Sequence, residues 1–545
     1  MPKIKGAQLV AAGILLSRVA GIVREIAISV ALGNAGAADA FRAAMRVPNF
    51  LQNLLGEGSL SASFVPVYAG LVEKGKTREA NALAGAVVSF LAAATSIIVL
   101  LLVLLAGPIV SLLTKFEGDT YDLAVNLTRI TSVGIGFLVI AAWCLGILNS
   151  HRSFFLSYAS PVIWNIAQIS MLVIATLLAW SELDTAVALA IAMVIGSALQ
   201  LGVQLPKVLR LGKGIRPNLT RTGQLNDVLA RFLPAVGARG VVQVSSLADT
   251  FLAAKYLSEG SLSSFTFALT IYLLPISLFG FSIAVSELTE MSRQADSLKV
   301  VTERVTNALR RVALPAGFVS VAYLVAGRPI IDALYGWPSR LLLHFGVLDE
   351  LKFDESDVTT VALVVAAFGI GLPAAISARI VQNTLYALGD VKGPARVAVI
   401  RLLVGVAVGA AVMFQFDLLA VNGQQISGTD EFPSLSAYTT DAADDGLSHL
   451  GAAGLALGAA SAAWAEFILL RILLARRLGK RVVTGWFTQI LIASGLSGVT
   501  MHLVGKVSVV SPVDVVVVLT SGAIIYGGVL WAAGIRPVNK LGIRP

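Results

Sequence analysis

The sequence predicts an all-α, polytopic membrane protein of about fourteen spans, and three observations carry that expectation. Its 545 residues are 56% hydrophobic and only 13% charged, far from the composition of a water-soluble globule. Apolar stretches of about 20 residues recur from end to end, enough for a helix to cross a hydrocarbon core about 30 Å thick. The connections between them alternate in charge, as the positive-inside rule requires of loops on opposite sides of a membrane. The alternating strands of about ten residues that mark a membrane barrel do not occur.

The apolar segments centre near residues 20, 52, 93, 136, 168, 195, 240, 276, 320, 370, 405, 463, 493 and 522. Lys3 and Lys5 precede the first, which Ser17, Arg18, Arg24 and Glu25 interrupt; with no convincing cleavage site it reads as a retained span rather than a signal peptide. Basic residues then occupy every second connection: Lys74, Lys76 and Arg78; Arg152; Lys207 to Arg221; Lys299 to Arg311; Lys392 and Arg396; Arg476 to Arg481; and Arg536 to Arg544. The intervening connections are neutral or acidic, including Asp349 to Asp357 and the stretch 416–448, which has six acids and no Lys or Arg. The first set faces the cytoplasm and the second faces outward. An even number of spans with both termini cytoplasmic follows. The segment 337–352 reads as an interfacial outer helix.

A weak internal echo relates two halves. Phe41 and Pro48 of the second span resemble Phe267 and Pro275 of the eighth, and the hairpin 149–165 resembles that at 386–401. Six spans separate them, so the repeats are parallel. The expected organisation is an N-lobe at 1–224, a C-lobe at 225–479 carrying the outward insert 416–448, and two further spans with a tail at 480–545.

Several function classes fall away. The net charge of +9 is explained by topology, so no nucleic-acid surface is expected. Cys144 is the single cysteine, and the four histidines lack metal-ligand spacing. No GxxxxGK[ST] phosphate loop occurs, which argues against an ATP-driven pump. No nucleophile and base stand together, so no catalytic residue, metal or cofactor is expected. Work against a gradient would then come from the membrane potential, an Na+ or H+ gradient, or consumption of the product; Asp39 and Asp249 are the carboxylates placed to take a cation or proton.

The chemistry concentrates in the first two spans. Ser17 and Arg24 are seven residues apart and share a helix face; Arg18 and Glu25 share an adjacent one. In the second span Asp39, Arg42, Arg46, Asn49, Asn53 and Glu57 form a continuous polar stripe. One Arg at mid-bilayer costs roughly 2.5–3.5 kcal/mol on insertion scales, so the stripe needs a bundle interior, a wet cavity or acidic partners. Helix-packing ion pairs would satisfy that need. Four arginines against Glu25, Asp39 and Glu57 nevertheless leave cationic capacity, and the planar guanidinium fork suits phosphate oxygens. The seventh span repeats the idea with Arg239, Gln243, Ser246 and Thr250 on one face beside Asp249. Thr266 and Thr270 are the inward polar candidates of the eighth span. Arg379, Tyr386 and Arg401 in the next spans line a cavity or anchor an interface.

The run SRVAGIVREIAISVALGNAGAADAFRAAMRVPNFLQNLLGEGSLSASFVPVYA at 17–69 resembles the amino-terminal signature of the MurJ (MviN) lipid II flippases, of the multidrug/oligosaccharidyl-lipid/polysaccharide exporter superfamily. LGILNSHRSFFLSYASPVIWNIAQ at 145–168 and LYALGDVKGPARVAVI at 385–400 extend the resemblance over most of the first twelve spans. It implies fourteen helices in two lobes around a cavity, and alternating-access transfer of lipid II, an undecaprenyl-diphosphate-linked disaccharide-pentapeptide, to the outer leaflet of the bacterial inner membrane. It implies membrane lipid, cell-wall synthesis proteins and division proteins as partners. By position it makes Ser17, Arg18, Arg24, Glu25, Asp39, Arg46, Asn49 and Glu57 substrate-contacting, with Glu25 where Asp is common and Arg46 where Lys is common. Two places depart from the family's pattern. Gln52 and Asn53 stand where an arginine is usual, and Thr270 replaces the eighth-span arginine, with Leu273 where an acid is usual. Arg239 is the expected substitute for that charge. A scaffold that lost transport, or an exporter of another lipid-linked glycan, is the alternative reading.

Overall fold

A computed structural model describes residues 2–34, 36–218, 223–281, 291, 297–390, 392–428, 447–479, 485–506 and 511–535, with the backbone alone at 2–12 and at Glu57, Arg239 and Ser246 among others. The chain forms two compact units, Met1–Tyr256 with Leu342–Lys352, and Leu257–Leu341 with Phe353–Pro545. Among the described residues eleven helices are long and apolar enough to cross a membrane. Three more of spanning length, Pro2–Leu32, Ala37–Leu55 and Gly223–Tyr256, carry the charges of the first, second and seventh predicted spans.

Unit 1 comprises α1 (Pro2–Leu32), α2 (Ala37–Leu55), α3 (Glu57–Glu73), α4 (Thr77–Leu104), α5 (Ala106–Leu113), α6 (Gly118–Ser150), α7 (Phe154–Ala159), α8 (Pro161–Leu177), α9 (Glu182–Leu211) and α10 (Gly223–Tyr256). Its core gathers Phe64, Tyr68, Leu83, Trp143 and Ile147, and the buried indole of Trp143 donates to Ala84 O at 3.2 Å, which leaves no orphan donor there. The segment expected to open the second lobe, α10, instead packs against α2 and α3 of unit 1.

The second span differs from a single continuous helix. Pro48 lies within unbroken α2, whereas the break comes at Gly56, where a Cβ would sit 2.2 Å from Gln52 O. Only glycine permits that contact. The polar stripe is therefore continuous from Asp39 to Asn53, and Glu57 opens a separate helix. At the other end of α2, Gly33 has φ +69 and its Cβ position lies 2.1 Å from Lys352 O, so the α1–α2 turn also requires glycine.

Unit 2 comprises α11 (Ser261–Pro275) running into a π-helical turn (Ile276–Phe281), α12 (Leu298–Val325), α13 (Gly327–Ile331) with a second π-turn (Asp332–Gly336), α14 (Trp337–His344), α15 (Glu355–Ala387), α16 (Lys392–Asp417), α17 (Gly451–Leu478), α18 (Phe487–Gly505) and α19 (Pro512–Ala532). The expected outer helix at 337–352 is thus helical only to His344. The insert after α16 carries a feature the all-α expectation lacked, a sheet of order β2-β1-β3 from β1 (Ala420–Asn422), β2 (Gln425–Ser427) and β3 (Ser448–His449). Asp354 with Asp357 caps α15, and Ser511 with Asp514 caps α19, each as a reciprocal capping box. The last two helices pack on each other and on α12, with Tyr526 Oη donating to Leu314 O at 2.7 Å.

Helices α16 and α17 lie antiparallel along a seam of small residues. Gly454 meets Met413, Gly458 meets Gly409 and Ala462 meets Gly405, one contact per four residues. A Cβ on Gly458 would sit 2.5 Å from Gly409 Cα; such approaches are how membrane helices associate without a hydrophobic driving force. Gly458→Leu is expected to destabilise the protein by about 1–3 kcal/mol or more, as overpacked sites do. The check is a lower thermal midpoint in detergent, with Gly527→Ala, whose Cβ position has open space, unchanged beside it.

Candidate functional site

The charged residues of α1 and α2 converge on one carboxylate. The Glu25 side chain is 4% exposed, and its two oxygens serve different arginines. Arg24 Nη2 donates to Oε1 at 2.6 Å, and Arg42 Nη1 donates to Oε2 at 3.1 Å. Consecutive helical positions point about 100° apart, so Arg24 reaches its neighbour Glu25 only because its long side chain turns across the helix. Two guanidiniums thus share the Glu25 carboxylate.

Helix α8 fixes the other side of Arg24. Its Nη1 donates to Asn165 Oδ1 at 3.2 Å, and its Cζ lies 4.9 Å from the centroid of the Trp164 ring. Asn165 in turn donates from Nδ2 to Pro161 O at 3.1 Å, which sets the amide so that its oxygen faces the guanidinium. Gly196 on α9 backs this corner: a Cβ there would lie 3.0 Å from Trp164 O. Arg24 Nε is buried and makes no hydrogen bond among the described residues.

Further along α2 the partners come from α10. Arg46 Nε donates to Thr250 Oγ1, with Asp249 in electrostatic range. Asn53 Nδ2 donates to Gln243 Oε1 at 3.4 Å. Asp39 is buried in the first turn of α2, where a carboxylate meets the positive end of the helix dipole.

The structure thus brings together Arg24, Glu25 and Arg42, and separately Arg46 with Thr250 and Asn53 with Gln243. It does not bring in Arg18, which is exposed, nor Ser17 and Asn49; none of the three has a hydrogen bond or ion pair among the described residues. Glu25 therefore pairs across to α2 rather than along its own helix to Arg18. The side chains of Glu57, Arg239 and Ser246 lie outside the described residues. In unit 2, Thr270 Oγ1 donates to Thr266 O at 3.0 Å and Thr266 Oγ1 to Leu262 O at 2.8 Å, so both hydroxyls bond back to their own helix. Counted over described side chains, Arg18, Arg24, Arg42 and Arg46 exceed Glu25, Asp39 and Asp249 by one.

Trp164 and Asn165 are the site residues that helical spacing within the first two spans did not reach. Their signal was Asn165 with Gln168, two amides three residues apart in an apolar segment, since intramembrane polar groups face protein or cavity.

The family described as lipid II flippase MurJ matches residues 28–423, from the end of α1 to the β1–β2 turn. A lipid II flippase MurJ of Burkholderia cenocepacia is 32% identical over 405 residues, covering 72% of this chain and 74% of that protein. This chain belongs to the MurJ family. Its fold agrees: a solved MurJ structure in an inward closed conformation superposes with a TM-score of 0.76 at 20% identity, over 97% of this chain and 100% of that one. An inward-facing multidrug resistance MATE transporter of the MOP superfamily gives 0.62 at 13% identity, over 85% and 94%. Membership in this transporter family places the chain among multi-pass membrane proteins. The family match starts just after Arg24 and Glu25, so the corner of the site built by α1 stands on its geometry.

Proposed function

We propose that this chain is a lipid II flippase, carrying the undecaprenyl-diphosphate-linked precursor from the inner to the outer leaflet of the bacterial cytoplasmic membrane by alternating access. One observation supports the assignment of the diphosphate to α1 and α2: Arg24 and Arg42 share a single buried carboxylate while Arg24 Nε stays unbonded. The surplus charge draws an oxyanion, and the planar Arg24 fork, with its buried Nε still without an acceptor, has the donor geometry that phosphate oxygens accept. Glu25 and Asn165 hold the guanidinium in place, so less rotamer freedom is lost when the ligand arrives. Arg46, tied to Thr250, adds positive potential along the same face of α2.

The chain performs no covalent chemistry in this reading. Its termini face the cytoplasm, transport draws on the membrane potential or an Na+ or H+ gradient, and cell-wall synthesis and division proteins are its neighbours. The test is complementation of cells depleted of their own lipid II flippase. Wild type is expected to restore growth, and the Arg18→Ala/Arg24→Ala double variant, present in the membrane at equal level, is expected to fail. Growth with the double variant would remove Arg18 and Arg24 from the transport site; failure of well-expressed wild type would exclude lipid II as the cargo.

A further inference from the structure

A second intramembrane charge cluster lies in unit 2, in residues other than those assigned to the diphosphate. The small-residue seam of α16 and α17 ends, one further four-residue step along, at Arg401 and Glu466, whose Nη1 and Oε2 are 3.1 Å apart. The Glu466 side chain is 7% exposed, whereas that of Arg401 is 39% exposed. Arg401 is nine residues from the start of α16 at Lys392, about 14 Å along the helix. A guanidinium so deep is costly to hold in hydrocarbon, so its open side meets water rather than lipid tails. From α15, Arg379 Nη1 donates to Gln382 Oε1 at 3.3 Å, and Gln382 Nε2 donates to Tyr386 Oη at 3.1 Å. Arg379 is also within electrostatic range of Arg401, Glu466 and Tyr272, so four helices contribute to one polar patch.

Resting on the lipid II reading, we propose that this patch is a second anion site, in which Arg401 binds a carboxylate of the cargo's pentapeptide. The pair with Glu466 engages Nη1 of the guanidinium, and the opposite edge of the planar fork still carries two N–H donors. That edge fits one carboxylate in bidentate fashion. A dianionic phosphate fits less well, because Glu466 repels the second charge. Gln382 and Tyr386 supply neutral donors and acceptors of the kind a peptide backbone meets. Discrimination here comes from a charged group that binds a ligand carboxylate more strongly than its neutral amide.

Binding is measured with the full chain in nanodiscs against three probes: lipid II, lipid II with its peptide carboxylates amidated, and undecaprenyl diphosphate. Amidation is expected to weaken wild-type binding about tenfold, the scale of one charge-assisted hydrogen bond. The factor should vanish in Arg401→Gln/Glu466→Gln, which removes both charges together and strands neither. It should persist in Glu466→Gln, which keeps the guanidinium. Equal amidation penalties in wild type and the double variant would overturn the proposal. So would a penalty that appears in zwitterionic discs and disappears in anionic ones, since Arg401 would then hold a membrane headgroup. Undecaprenyl diphosphate separates the two assignments: its binding should ignore the Arg401 variants and fall in Arg24→Ala. If it ignores Arg24→Ala, the diphosphate assignment fails on its own, whatever the amidation arm shows.

Discussion

Replacing Arg24 by Ala is expected to lower affinity for undecaprenyl diphosphate by at least roughly thirtyfold, from the 2–5 kcal/mol that truncating a buried, hydrogen-bonded charge costs. Arg24 is singled out among the arginines because it is held from three sides, by Glu25, Asn165 and the Trp164 ring, with its Nε left to donate. Arg18 has no such frame. The fold should survive the change, since Glu25 keeps its bond to Arg42 and no buried charge is stranded. Arg24→Lys retains the charge without the fork and should fall between wild type and Arg24→Ala. Asn165→Ala should raise the dissociation constant by a smaller factor, because it loosens the guanidinium without removing it. The measurement is a titration in nanodiscs; Arg24→Ala binding within twofold of wild type would remove the diphosphate from this corner of the fold.

The helices and the charged stripe were legible in the sequence for a physical reason. Hydrocarbon forces each span to satisfy its own backbone, so spans announce themselves as apolar runs, and the few charges inside them have to point inward. Periodicity shows which residues share a face of one helix. It does not show which helix that face meets. Arg24 and Glu25 were visible, but Asn165 lies 141 residues further on, and Thr250 lies 204 residues beyond Arg46. Arg18 and Glu25 share a helix face, yet the second counter-ion of Glu25, Arg42, comes from another helix. The break at Gly56 is not legible in the sequence, where Pro48 is the more obvious interruption; the decisive contact is between a Cβ position and Gln52 O, which composition does not encode. The Arg401–Glu466 pair sits between these cases. Both residues were visible as charges in apolar segments, and the matching four-residue runs of Gly and Ala in α16 and α17 set the register that joins them.

The second large effect concerns stability rather than affinity, and it separates the two roles of the α1–α2 corner. Glu25→Gln is expected to destabilise the protein by about 3–5 kcal/mol, the cost of removing one partner from a buried ion pair. Arg42, with its side chain 6% exposed, would lose its carboxylate while facing a second guanidinium. The thermal midpoint of the purified protein should fall accordingly. Glu25→Gln/Arg42→Met removes the stranded charge and should recover most of the loss, since an apolar side chain of similar volume commonly replaces a buried ion at little cost. Ligand response should move the opposite way. Glu25→Gln adds one unit of positive charge beside Arg24, so undecaprenyl diphosphate should raise the midpoint of this variant by more than it raises that of wild type, as mass action requires when the folded state binds the anion more tightly. A lowered midpoint with no enlarged ligand shift would make Glu25 a packing counter-ion and nothing else. A midpoint equal to wild type would show that Arg24 and Arg42 draw their balance from another acid, which the geometry of the carboxylate, with one oxygen to each arginine, argues against.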